Sequence, residues 1–147
     1  DAAKRCVAAG VDHLLGTVYY ESVAKVCEEA GIKYSPFAGL AEDSRLRGSI
    51  ESIVEKAKSL VARNTSGITI SGFRYVDGDP VELLRTLDPA MEKPFRLSGS
   101  INTFERIDFL KTLPNLAAFT IGGAFFEGRF GGTFAEQVTK VCKYVEK

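Results

Sequence analysis

The chain reads as a mixed α/β fold built on parallel strands, and three features of the sequence predict it. Short apolar runs rich in β-branched residues recur along its length, residues 67–73 (GITISGF) being the clearest. Between them lie segments whose apolar residues return every three or four positions, the spacing of a helix with one buried stripe. The runs are apolar almost throughout rather than alternating, which is the pattern of strands covered on both faces and paired in parallel. With 147 residues, 45% hydrophobic and 26% charged, the chain has the make-up of one globular domain.

The elements follow in order. A helical opening (AAKRCVAAG) precedes a strand over 11–18, a helix over 20–30 stopped by Gly31, and a second strand over 32–39. Ile50, Ile53, Val54, Ala57, Leu60 and Val61 then form a single apolar stripe, with Glu and Lys opposite. After the third strand at 67–73, Asp79-Pro80-Val81-Glu82 reads as a helix start, with an acceptor at the N-cap and Pro where no donor is lost. Leu83, Leu84 and Leu87 carry that helix, and Asp88-Pro89 is expected to end it. The fourth strand covers 95–98. Asn102 with Glu105 is expected to start a helix bearing Phe104, Ile107, Leu110 and Leu113. The fifth strand, 117–121, runs into Gly122-Gly123, and a one-turn helix is expected at 124–127. Thr133 to Glu136 spells a T-x-x-E capping box, and the final helix is expected to turn Phe134, Val138, Val141, Cys142 and Val145 inward.

A helix followed by five β-α units leaves two architectures. One is an open, doubly wound, five-stranded sheet of the flavodoxin or receiver type; the other is the C-terminal five strands of a (β/α)8 barrel, which takes about 250 residues in full. The opening at Asp1, inside a helix that precedes a strand, favours the second. On that reading residues 1–147 form a single α/β domain that lacks the N-terminal strands of its barrel. Five strands of eight leave two unpaired edges, so either preceding residues or a second copy of the chain is expected to close them. A receiver domain would carry paired acids after its first strand, Asp after its third and Lys after its fifth; the residues found there are Gly16-Thr17, Phe73-Arg74 and glycines. A flavodoxin would carry a Ser/Thr-rich loop after its first strand, and Gly16-Thr17-Val18-Tyr19-Tyr20 is not one.

Glycines after the last two strands supply the main functional signal. The fourth strand ends in Ser98-Gly99-Ser100-Ile101 and the fifth in Gly122-Gly123-Ala124-Phe125, each ahead of a helix. Missing Cβ atoms let backbone N–H groups approach an anion closely. The stretch 94–128 (PFRLSGSI…NLAAFTIGGAFFEG) resembles the phosphate-binding (β/α)8 barrel superfamily, whose phosphate loops follow strands seven and eight with a short extra helix after the second. The resemblance implies phosphate contacts at Ser98, Gly99, Ser100, Gly122, Gly123 and Ala124. It also implies a small phosphorylated ligand and a lyase or isomerase acting on a sugar phosphate or similar metabolite. Ser100 stands where many such barrels have a second glycine.

Chemistry in such a scaffold belongs at the carboxyl ends of the strands. Arg74 follows the third strand directly, and Glu42 and Asp43 follow the second beside Arg45 and Arg47. These are the catalytic candidates: carboxylates for proton transfer and arginine as an electrostatic clamp. Thr17, Tyr19 and Tyr20, then Tyr75 and Asp77, then Glu127 and Arg129, occupy equivalent positions. A non-catalytic phosphometabolite-binding protein on the same scaffold is the alternative, as is an open sheet whose glycines make plain turns.

Other classes find no support. Lys plus Arg and Asp plus Glu are balanced at 19 each, so no basic surplus points to nucleic acid. No apolar run approaches a membrane span, and none of the usual leader pattern opens the chain. Cys6, Cys27 and Cys142 are scattered without a C-x-x-C or Cys/His cluster; reduced, buried thiols, no metal, no cofactor and a cytoplasmic setting are the expectations. No lysine ends a strand, which disfavours Schiff-base chemistry. The sole histidine, His13, lies early in a strand, away from the expected site, as a partly buried structural residue.

Overall fold

The computed structural model describes residues 1–39 and 43–146. The chain order is α1 (Ala2–Ala8), β1 (His13–Leu15), α2 (Glu21–Glu29), β2 (Lys33–Ser35), α3 (Ile50–Val61), β3 (Ile68–Ile70), a 3-10 turn over Gly72–Arg74 and α4 (Pro80–Ala90). It continues with β4 (Phe95–Ser98), α5 (Phe104–Leu110), β5 (Leu116–Thr120), α6 (Gly123–Phe126) and α7 (Phe134–Val145). The fold is mixed α/β with every strand pair parallel. Strands β1–β2 and β3–β4–β5 form two small sheets. An isolated parallel bridge between Phe37 and Thr69 joins them, with Ala38 N–H donating to Thr69 O at 2.9 Å and Thr69 N–H to Pro36 O at 2.8 Å. The strands therefore lie in chain order, with β1 and β5 at the edges, and they do not close into a barrel. In a flavodoxin-like sheet the first strand would lie between the second and third.

The core follows from the apolar stripes. Ile53, Val54, Ala57, Leu60 and Val61 of α3, Leu83, Leu84 and Leu87 of α4, and Ile107 and Leu110 of α5 pack with Ile68, Ile70, Phe95 and Leu97 of the strands. At α3 the N-cap Ser49 accepts from Ser52 N–H, and at α4 Asp79 accepts from Val81 N–H, so both helices start where the sequence places them. Gly72 needs its missing Cβ. That atom would lie 2.7 Å from Leu84 Cδ2 and 3.0 Å from Leu97 Cδ1, so glycine lets the turn after β3 sit flat on the core.

Four expectations require correction. Helix α4 continues through Pro89 to Ala90. Proline near the end of a helix removes one hydrogen bond and crowds the carbonyl four residues back, and Asn115 ties down Asp88 by donating to its Oδ1 and its carbonyl, both at 2.9 Å. Helix α5 is capped by Thr103 rather than Asn102, Thr103 Oγ1 accepting from Arg106 N–H at 3.3 Å. The inward stripe of α7 is largely uncovered: Val141 is buried, while Phe134, Cys142 and Val145 are exposed and the polar Gln137 is buried. Val141, Cys142 and Val145 line an open groove shared with Leu110, Leu113 and Phe119, beside the free edge of β5. Accordingly only Cys27 is a buried thiol; Cys6 is half-buried and Cys142 exposed, and all three are free.

Among the described residues no helix is long and apolar enough to cross a membrane, and no cluster of His, Cys, Asp and Glu could hold a metal.

Candidate functional site

The carboxyl ends of β4 and β5 open onto a cavity of about 320 Å3. Ser98, Gly99 and Ser100 line one wall, and Gly122, Gly123 and Ala124 the other. Arg74 completes it from the turn after β3, so both glycine-bearing loops and one catalytic candidate share one space. Thr120, Asn102 and Glu127 also reach it.

Each wall has a local cause. Ser98 and Thr120 are partners in the β4–β5 register, and their hydroxyls lie 3.4 Å apart where the strands end. The chain then turns sharply, with Gly99 at φ +82° and Ser100 at φ +57°. The left-handed backbone costs a non-glycine residue about 1 kcal/mol. At Ser100 that conformation is held from outside: its carbonyl accepts a hydrogen bond from Arg106 of α5, whose guanidinium lies over the Phe73 ring at 4.6 Å. Arg106 thus ties the loop after β4 to the residue preceding Arg74.

Gly99 and Arg74 touch through a missing atom. A Cβ at residue 99 would lie 2.9 Å from Arg74 Nε and 3.1 Å from Cζ, so the guanidinium rests against the bare glycine backbone. The base of Arg74 is fixed by Arg74 N–H donating to Ser71 O at 2.9 Å and Leu46 N–H donating to Arg74 O at 3.0 Å.

On the β5 side, Gly122 leads into α6, a single turn of four residues. Neither Gly122 nor Gly123 has a positive φ, and a Cβ at Gly122 would meet nothing within 4 Å. Buried Gln137 of α7 holds this segment in place. Its Oε1 accepts from Phe130 N–H at 3.1 Å, while Nε2 donates to Phe125 O at 3.0 Å and Gly132 O at 3.3 Å. The capping box fixes the start of α7, Glu136 accepting from Thr133 N–H at 2.7 Å. These two hydrogen bonds at Thr133, from its backbone and its hydroxyl, hold the Glu136 carboxyl below its ordinary pKa.

The charges are uneven. Arg74 brings a cation, and Glu127 brings a carboxylate whose Oε2 accepts from Arg129 Nε at 2.8 Å. That pairing offsets part of the repulsion Glu127 would exert on an anion.

Asp43 lies elsewhere. It accepts from Arg45 N–H and from Arg47 Nη2, both at 3.0 Å, and does not line the cavity. The Arg45 backbone bond, then the Arg47 side chain, hold its carboxyl below the ordinary range. Its loop is anchored to the turn after β3: Gly48 N–H donates to Asp77 Oδ2 at 2.8 Å and Tyr75 Oη to Gly48 O at 2.9 Å. Glu42 lies outside the described residues.

Sequence reasoning passed over Arg106 and Gln137. Both act on backbone carbonyls distant in the chain or across a loop, and no residue spacing announces such a bond. No protein-family model matches the chain, and no curated protein matches it at a significant level.

Proposed function

We propose that the cavity between the carboxyl ends of β4 and β5 binds the phosphate group of a small phosphorylated metabolite, on a scaffold equivalent to five consecutive strands of a phosphate-binding barrel. One observation carries the reading: the six loop residues implied by the resemblance line a single cavity together with Arg74. The chain-order arrangement of parallel strands supports the scaffold. Arg74 is the charge partner of the phosphate or of negative charge developing beside it, and the loop amides and the Ser98 and Thr120 hydroxyls supply neutral donors. Binding energy from that anchor holds the rest of the ligand in place, which suits a lyase or isomerase.

A second reading, binding without turnover, draws on the lining itself. Among the described residues no lysine or histidine lines the cavity, and the carboxylate that does, Glu127, is already engaged by Arg129.

Calorimetric titration with inorganic phosphate and a panel of sugar phosphates tests the shared claim. Arg74→Met should weaken binding about tenfold or more, the loss of one charge-assisted bond. Gly99→Ala should do the same by displacing the guanidinium. Absence of binding, or equal affinity in both variants, overturns the site. Conversion of any bound sugar phosphate decides for the enzyme over the binding protein.

A further inference from the structure

A second cavity opens among the strands, between β1 and β5. It has a volume of about 220 Å3, and its lining comes from the strands and the residues that follow them, with Leu15, Phe37 and Ala118 as apolar walls and Thr69, Thr120 and Arg96 as polar ones. Arg96 projects from the middle of β4 and is half-buried. One of its guanidinium nitrogens donates to Ser35 Oγ of β2 at 3.2 Å, and His13 Nε2 of β1 meets the same hydroxyl at 2.9 Å. With Ser35 accepting from Arg96, its own proton is left for the neutral imidazole. Arg96, Ser35 and His13 so form one polar chain across β4, β2 and β1.

Among the described residues that chain has no counter-charge. Among the described residues no carboxylate pairs with Arg96, although an arginine offers five N–H donors in a fork suited to one. The strands around it add Lys33 from β2, neutral Thr69 from β3, and Ala118 and Thr120 from β5. Burial lowers the Arg96 pKa, and His13 is lowered first by burial and then by Arg96 and Lys33, so every charge acting on the imidazole is positive. A half-buried guanidinium without an anion is an expensive arrangement, and one that a bidentate carboxylate relieves.

We infer that this cavity binds the carboxylate of a short aliphatic acid, its head held by the Arg96 guanidinium and its carbon chain against Leu15, Phe37 and Ala118. At about 30 Å3 for each water-sized group, the cavity matches a ligand of roughly seven non-hydrogen atoms. The cavity shares Ser98 and Thr120 with the one between the ends of β4 and β5, but its cation is Arg96, and neither Arg74 nor residues 99–100 and 122–124 line it.

His13, the sole histidine, gives a direct reporter. Its imidazole resonances are followed by NMR across pH in the full chain, titrated with butyrate against sodium chloride at matched ionic strength. Butyrate should raise the His13 pKa saturably, since a nearby anion favours imidazolium, and chloride should not. Arg96→Gln should weaken the butyrate response about tenfold or more, while Arg96→Lys, which keeps the charge without the fork, should retain part of it. An identical response to both salts, a non-saturating response to butyrate, or undiminished binding in either variant overturns the inference.

Discussion

The two ends of the sheet are built to different standards. Around β3, β4 and β5 the buried side chains run continuously from α3 to α7, and the glycine-bearing loops stand on that foundation. Around β1 and β2 the separate buried cluster consists of Ala24, Cys27 and Tyr34, with Leu14, Tyr19, Val23 and Ile32 at its margin. The join between the ends is narrow, resting on the Phe37–Thr69 bridge and its neighbouring bonds, with Thr69 Oγ1 also donating to Ser35 O at 3.1 Å. Loop position follows core quality: the loops proposed to bind phosphate need fixed amides, and they occupy the end able to fix them.

Truncation at each end gives the sharpest test of that contrast. Leu97→Ala, in a fully buried position under the candidate site, should cost about 2–5 kcal/mol in denaturant unfolding. Cys27→Ala, in the smaller cluster, should cost about 1 kcal/mol. Equal losses would break the comparison. Native-state hydrogen exchange extends it residue by residue: amides of β4 should open only with global unfolding, and those of β1 and β2 at lower free energy.

Thr133→Ala isolates a local device at the stronger end. It removes the reciprocal hydrogen bonds at the start of α7 and should cost about 1 kcal/mol of stability by thermal unfolding. A much larger loss would mean that α7 is held by its cap rather than by Val141 and Gln137.

The smallest effect is one of pH at the weaker end. His13 has a lowered pKa, so between that value and the ordinary 6.5 the unfolded chain binds a proton that the folded chain does not. Its contribution is fully present above about 6.5 and should be lost as pH falls through the folded-state value. His13→Gln should flatten that part of the stability profile. An unchanged slope would assign the acid sensitivity to other groups.

Much of this architecture is legible in the residues themselves. The stripe from Ile50 to Val61, the Asp79-Pro80 start and the Thr133–Glu136 box each encode a local event, and each occurs where it is written. The loops after β4 and β5 were readable because a glycine marks backbone that must bend or be approached. What stayed hidden depends on distant partners. Arg106 carries no local signal because its partner is the carbonyl of Ser100 outside the helix, and Gln137 sits among the apolar residues of α7. The stripe of α7 was read as turned inward, but a stripe announces only that a face wants cover: Phe134, Cys142 and Val145 are exposed, and an open groove runs along Val141, Cys142 and Val145.

The pairing of β4 with β5 slips by one residue, Phe95 lying opposite Leu116 but Arg96 opposite Ala118. Ala117 is the supernumerary member, and it allows Leu116 and Phe119, three apart, both to pack toward the core. Beyond it the side chains swap sides, which is why the hydroxyls of Ser98 and Thr120 meet. Excising Ala117 would reverse the phase of everything upstream or downstream of the cut: either Leu116 would leave the helical layer, or Thr120 would enter it and the two glycine-bearing turns would fall out of step. One small aliphatic residue, chemically inert, sets the timing by which two remote stretches of backbone arrive at the same place.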